Sequence, residues 1–173
     1  MREALSEAYN YQMDKPRVYL ETSVISYLAA RPSADVHNLA RQHSSLQLWQ
    51  MTNVYELFVS DTVLDEAMRG DAAAAQLRIG FLKDLPRLAD DDAATGLAKQ
   101  LILLQALPPQ SYLDALHIAL AAVYGMNYIA SWNFKHIVGA TARNRITQTL
   151  RQLGYTQVTI HTPEELVEAT HDE

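Results

Sequence analysis

The chain has 173 residues, 49% hydrophobic and 20% charged, with a net charge of −6, a pI near 5.5 and no cysteine. That length and balance describe one globular domain, and the missing cysteines exclude disulfides and thiolate metal sites. The negative charge argues against a protein that holds nucleic acid by a broad basic surface, although a metal ion in an acidic pocket supplies positive charge where a phosphate must sit. No apolar run approaches the ~20 residues of a bilayer span, and MREALSEAYNYQMDK has no apolar signal-peptide core. A cytoplasmic location away from the membrane is therefore expected.

Residues 1–15 are polar and weakly patterned, and read as a flexible extension ahead of one domain over 16–173. Pro16 to Leu20 reads as the first strand. Thr22 is the expected N-cap of a helix from Ser23 to Ala30, which Arg31-Pro32 interrupts. Ser33 is the expected cap of a second helix running to about Thr52. Glu56 to Ser60 is strand two. Asp61 to Arg69 reads as a helix closed by Gly70, and Asp71 starts another that ends before Pro86. Arg87 to Ala89 reads as a minor strand. A helix from Asp90 to Ala106 opens on three acids, which suit its positive end.

Leu107-Pro108-Pro109 reads as a loop. Ser111 to Tyr124 is an almost wholly apolar helix closed by Gly125. Asn127 to Ser131 is a strand, 139–153 a helix closed by Gly154, and Thr156 to His161 a last strand. Thr162-Pro163-Glu164-Glu165 is a helix start with Thr at the cap, Pro at N1 and Glu at N3. Strands and helices alternate throughout. This predicts a three-layer α/β/α sandwich around a mainly parallel sheet.

Several polar residues fall where a strand hands over to a helix. In an open parallel sheet these points share one edge, where sites are built. Glu21 follows strand one, as a helix-start carboxylate or a metal ligand. Glu66 lies on the helix after strand two, as a solvated residue or a ligand. On that helix Asp65 stands four residues before Arg69, the spacing of a surface ion pair. Asp114 opens the apolar helix. Ser111-x-x-Asp114 resembles a capping box, but a carboxylate on a deeply buried helix is costly without a partner or a metal. Asn133 follows the fourth strand as a turn residue or a site residue. His117 reads as a hydrogen-bonded core residue, and the absence of His-x-x-x-His or Cys–His spacing disfavours zinc. Lys135, His136, Arg143 and Arg145 form a phosphate-contacting patch or a solvated helix face. There is no phosphate-binding glycine loop and no nucleophile elbow.

Four segments, in order, resemble the PIN-domain family of metal-dependent ribonucleases, especially the VapC-like toxins of toxin–antitoxin pairs. They are Tyr19-Leu20-Glu21-Thr22-Ser23, Ser60-Asp61-Thr62-Val63-Leu64-Asp65-Glu66, Asp114-Ala115-Leu116-His117-Ile118-Ala119 and Tyr128-Ile129-Ala130-Ser131-Trp132-Asn133-Phe134-Lys135-His136. The resemblance implies an RNA-hydrolysing site of Glu21, Glu66, Asp114 and Asn133. Glu21, Glu66 and Asp114 would hold Mg²⁺ or Mn²⁺, with Thr22, Arg69 and Lys135 as RNA contacts. It also implies a small antitoxin partner and a homodimer. Two positions depart from the family pattern. Glu21 stands where Asp is usual, and Asn133 where many members carry Asp. A longer, displaced carboxylate suits Mg²⁺ less well than Mn²⁺ or a water-bridged ligand. The alternative expectation is a PIN-fold module that binds RNA or a protein with little catalysis. A receiver-like or phosphatase-like domain using Asp61 is a weaker third reading, since no Asp-x-Asp follows strand one.

Overall fold

The computed structural model describes residues 15–170, so the extension read over 1–15 lies, apart from Lys15, outside the described residues. Five strands and eight helices alternate among these residues. They are β1 (Arg17–Leu20), α1 (Thr22–Ala29), α2 (Val36–Gln50), β2 (Glu56–Ser60), α3 (Asp61–Ala67), α4 (Ala72–Leu82), β3 (Arg87–Leu88), α5 (Asp92–Leu103), α6 (Tyr112–Val123), β4 (Tyr128–Ala130), α7 (Ala140–Gln152), β5 (Thr159–His161) and α8 (Pro163–Glu168).

The strands form one sheet in the order β3-β2-β1-β4-β5, and every neighbouring pair is parallel. Val18, Tyr19 and Leu20 are all buried. A strand with no solvent face reads as a continuous apolar run, because helices cover both sides of a parallel sheet. On one side α5 packs on α6 and α7; on the other α1 joins α2, α3 and α4, and α2 meets α8. The result is the expected α/β/α sandwich, with one buried apolar cluster running through all three layers. Among the described residues no helix is long and apolar enough to cross a membrane.

Strand β1 sits at the centre of the sheet. From it the chain builds β2 and β3 on one side, then crosses to build β4 and β5 on the other. The order reverses between β1 and β4, where Leu20 pairs with Ala130. The crevice beyond the carboxyl ends of two such strands is where open α/β sheets bind ligands.

Several helix ends differ from the sequence reading, for local reasons. Glu21, not Thr22, caps α1, because its side chain accepts from Ser23 N. Asp35, not Ser33, caps α2; its carboxylate reaches Asn38 N, while Ser33 Oγ accepts from Asp35 N. Helix α3 ends at Ala67, and the chain turns at Gly70 with φ +84°. Helix α5 stops at Leu103, and Gln105 turns left-handed at φ 58° to bring Ala106 and Leu107 back into the core. Ser111 caps α6 without a side-chain bond, so the Ser111–Asp114 capping box does not form. The box at Thr162 and Glu165 does.

Candidate metal centre

The crevice between β1 and β4 collects polar side chains from four points of the chain. Glu21 leaves the end of β1. Glu66 stands on α3, which follows β2 directly. Asp114 and His117 stand three apart on the first turns of α6, hence on one face. Ser131 and Asn133 follow β4.

Two clusters of polar side chains result, bridged by the Asn133 N–H, which donates to Ser131 Oγ at 3.0 Å. In the first, Glu21 Oε1 accepts from Ser23 N at 3.1 Å, and Oε2 accepts from Ser23 Oγ at 2.5 Å and Ser131 Oγ at 2.7 Å. Its backbone N–H donates to Ala130 O at 3.0 Å, which ties β1 to β4 at the site. Glu66 Oε2 meets Thr22 Oγ1 at 2.5 Å and His117 Nε2 at 2.8 Å. His117 is 1% exposed, and its Nδ1 lies 2.7 Å from Tyr19 Oη. Tyr19 Oη in turn lies 2.7 Å from Ser60 Oγ, which accepts from Val63 N and so caps α3. Ligand atoms of Glu21, Glu66 and His117 all lie within 4.8 Å of one another. In the second group, Asn133 Nδ2 donates to Asp114 Oδ1 at 2.9 Å, and Asn133 Oδ1 accepts from His136 N at 3.0 Å.

The charges are strongly coupled. Burial acts against a charged His117 ring, but the Glu66 hydrogen bond and the carboxylates Glu21, Glu66 and Asp114 outweigh it and raise the imidazole. Burial would raise Glu66, yet the His117 and Thr22 hydrogen bonds and the charges of His117 and Arg69 hold it below the usual range. Asp114 goes the other way. Burial and the nearby Glu21 charge raise its carboxyl against the Ser111 hydroxyl and the two histidines His136 and His117. Three acids and one buried imidazole thus share a crevice that carries excess negative charge. Carboxylate oxygens are the hard donors that Mg²⁺ and Mn²⁺ take. The ligand atoms that lie together are those of Glu21, Glu66 and His117, a set that fits a divalent ion, whereas the expected third ligand Asp114 is not in that group and acts on it through its charge.

The other expected residues are placed as follows. Thr22 faces Glu66 through its hydroxyl, inside the site rather than on its rim. Arg69 is exposed and close enough for its charge to act on Glu66. Lys135 is exposed on the loop after Asn133 and lines a separate cavity with His136 and Arg145. Arg143 leaves that patch, because it pairs with Glu165 at 2.9 Å. Asp61 faces Arg87 at 3.7 Å. Among the described residues no ion pair joins Asp65 to Arg69.

Sequence reasoning placed His117 in the core and stopped there. Its spacing from Asp114 was the available signal, since i and i+3 share a helix face. Ser131 was read only as strand; nothing in its type distinguishes a carboxylate-holding serine from an ordinary one.

No family model and no curated protein matches the chain. Solved structures do. The Mycobacterium tuberculosis toxin VapC20, described as cleaving the sarcin–ricin loop, superposes with a TM-score of 0.55 at 16% identity, over 68% of this chain and 91% of that one. A VapBC2 structure from Rickettsia felis, bound to a DNA fragment from its promoter, gives a TM-score of 0.52 at 14% identity, over 84% and 98%. The fold is therefore that of the PIN-domain VapC toxins.

Proposed function

We propose that the chain is a divalent-metal-dependent endoribonuclease of the VapC kind, a single PIN-like domain from residue 16 onward. The observation that supports this most is the meeting of Glu21, Glu66 and His117 at the β1–β4 reversal point of a VapC-like fold, with Asp114 coupled to them by charge. A bound Mg²⁺ or Mn²⁺ supplies neutralising charge and a water of lowered pKa. The chain's own part is positional. Ser23 and Ser131 fix Glu21, Thr22 and His117 fix Glu66, and Asn133 fixes Asp114. His117 holds a proton at Nε2 against Glu66, so the site balances part of its own charge. A phosphodiester attacked in line there leaves a 3′-hydroxyl and a 5′-phosphate. A short antitoxin protein is the partner this reading implies, a second copy of the chain the expected mate, and the cytoplasm the expected location.

The test is Asp114→Asn, which keeps the side-chain shape and removes the charge. Divalent-dependent RNA cleavage should fall by at least about 100-fold, the upper range for weakening a metal site, while the circular dichroism spectrum stays unchanged. Undiminished cleavage by a folded Asp114→Asn protein overturns the mechanism.

One observation favours a second reading, a binding module with little catalysis. Glu21 already accepts three hydrogen bonds from the protein itself, as a carboxylate serving structure does. A wild-type site that takes up no Mn²⁺ at about millimolar concentration supports the module.

A further inference from the structure

A cavity of about 460 Å³ opens between the segment 102–109, which leads into α6, and the start of α7. Ile102, Leu107 and Pro108 give it an apolar wall, and Lys135, His136 and Arg145 give it a cationic one. Among the described residues neither Lys135 nor Arg145 forms an ion pair, whereas Arg143 beside them does. In a chain with 14 basic and 20 acidic residues, two unpaired cations around one cavity are a local reversal of sign. The cavity adjoins the acidic centre. His136 N donates to Asn133 Oδ1, and Asn133 Nδ2 donates to Asp114 Oδ1.

Its size falls in the range of about 300–1,000 Å³ typical of small-molecule sites. Its chemistry is two-sided, apolar for a flat ring and cationic for a phosphate. We propose that this cavity takes one unstacked nucleotide of the RNA next to the bond that is cut, with the base against Ile102, Leu107 and Pro108 and the phosphate between Lys135 and Arg145. The proposal rests on the ribonuclease reading and narrows its substrate. A base in a duplex stays in its stack, and reaching a pocket means leaving it. The RNA cut here therefore carries an unpaired nucleotide beside the cut, as loops and single strands do.

The probe is adenosine 5′-monophosphate, titrated into the wild-type protein in chelator and followed by backbone amide NMR. Adenosine, inorganic phosphate and a tetraglutamate peptide are titrated separately. The monophosphate should shift amides of 102–107 and 134–145 and bind at least about tenfold tighter than adenosine or phosphate, a difference of about 1.4 kcal/mol. Arg145→Gln and Lys135→Gln, both at exposed positions, should each weaken it several-fold without changing the fold. An abasic nucleotide beside the cut should slow cleavage of an RNA by about tenfold or more. No shift at about 10 mM monophosphate, phosphate binding as tightly as the nucleotide, or the peptide binding where the nucleotide does not each overturns the site. None of these touches the ribonuclease reading, since binding in chelator needs no catalysis. Nucleotide binding without cleavage of any RNA overturns that reading instead, and with it the placement beside a cut.

Discussion

Removing one oxygen tests how the acidic centre is tied to the core. Tyr19 is fully buried in the central strand. Its hydroxyl bridges Ser60 Oγ and His117 Nδ1, both at 2.7 Å. The chain of bonds closes with His117 charged or neutral. A charged ring donates at both nitrogens, to Tyr19 and to Glu66; a neutral ring keeps the Glu66 bond and accepts from Tyr19. In Tyr19→Phe, Ser60 Oγ keeps Val63 N as a partner. His117 Nδ1 has no second one among the described residues. A buried polar group left unpaired costs about 1–3 kcal/mol, and the lost Tyr19–Ser60 bond adds about 1 kcal/mol. The sum is roughly 2–4 kcal/mol. At about 2–4 °C per kcal/mol for a chain of this size, the melting temperature should fall by roughly 4–16 °C. Tyr27→Phe is the control. That hydroxyl donates to Asn38 Oδ1 and accepts from Arg41 in a part-exposed setting, so its loss should cost about 1 kcal/mol or less. The assay is thermal and urea unfolding at pH 6 in chelator. A Tyr19→Phe protein as stable as wild type refutes the bridge.

Three further outcomes are expected. A Cβ added at Gly139 would run into the Phe134 carbonyl oxygen, so Gly139→Ala must displace the loop that carries Asn133. It should cost at least about 1–3 kcal/mol in urea unfolding and reduce cleavage as well, and an unchanged midpoint refutes the close approach. Stability in chelator should depend on pH through His117 and Glu66. The folded His117 is raised above 6.5, so its contribution is complete below that pH and lost as pH climbs through the raised value. The folded Glu66 is lowered below 4.5, so its contribution is complete above that pH and lost as pH drops through the lowered value. Unfolding midpoints should therefore be highest between these limits, and His117→Gln should flatten the alkaline limb. Calorimetric Mn²⁺ affinity should rise with pH over the range in which His117 loses its proton, because ligand sites must be deprotonated to bind; a flat profile refutes a share for that ring in the site.

The sheet was legible because a strand buried on both faces needs an unbroken apolar run, and Val18-Tyr19-Leu20 and Leu57-Phe58-Val59 supply one. The edge at which the acids meet was legible for the same reason, since parallel strands place their ends together. Helix starts were read one or two residues off at α1 and α2. Several residue types compete for a cap, and the winner depends on which side chain tertiary contacts leave free. Ser33 is drawn to Asp35 N, and Glu21 is drawn to its own helix by the backbone and hydroxyl of Ser23. The patch at 135–145 was read as a whole, and only the fold shows that Glu165, twenty-two residues away, removes Arg143 from it.

Glu21 and His117 explain each other better than either does alone. An extra methylene at Glu21 lets the carboxylate turn back onto Ser23, which an Asp reaches as an ordinary cap. The turn brings it against Ser131 at the end of β4, so the longer side chain ties two strands across the reversal point. What that leaves is a crevice with one carboxylate, Glu21, committed to three protein donors. Glu66 is committed through one oxygen, and Asp114 has its carboxyl raised by burial. Such a crevice needs a cation nearer Glu66 than Glu21, and the chain places a buried imidazole there, 2.8 Å from Glu66 Oε2. The ligand atoms of Glu21, Glu66 and His117 lie within 4.8 Å of one another, so a divalent ion is expected among these three, with Asp114, one turn before His117 on α6, adding its charge from beside them.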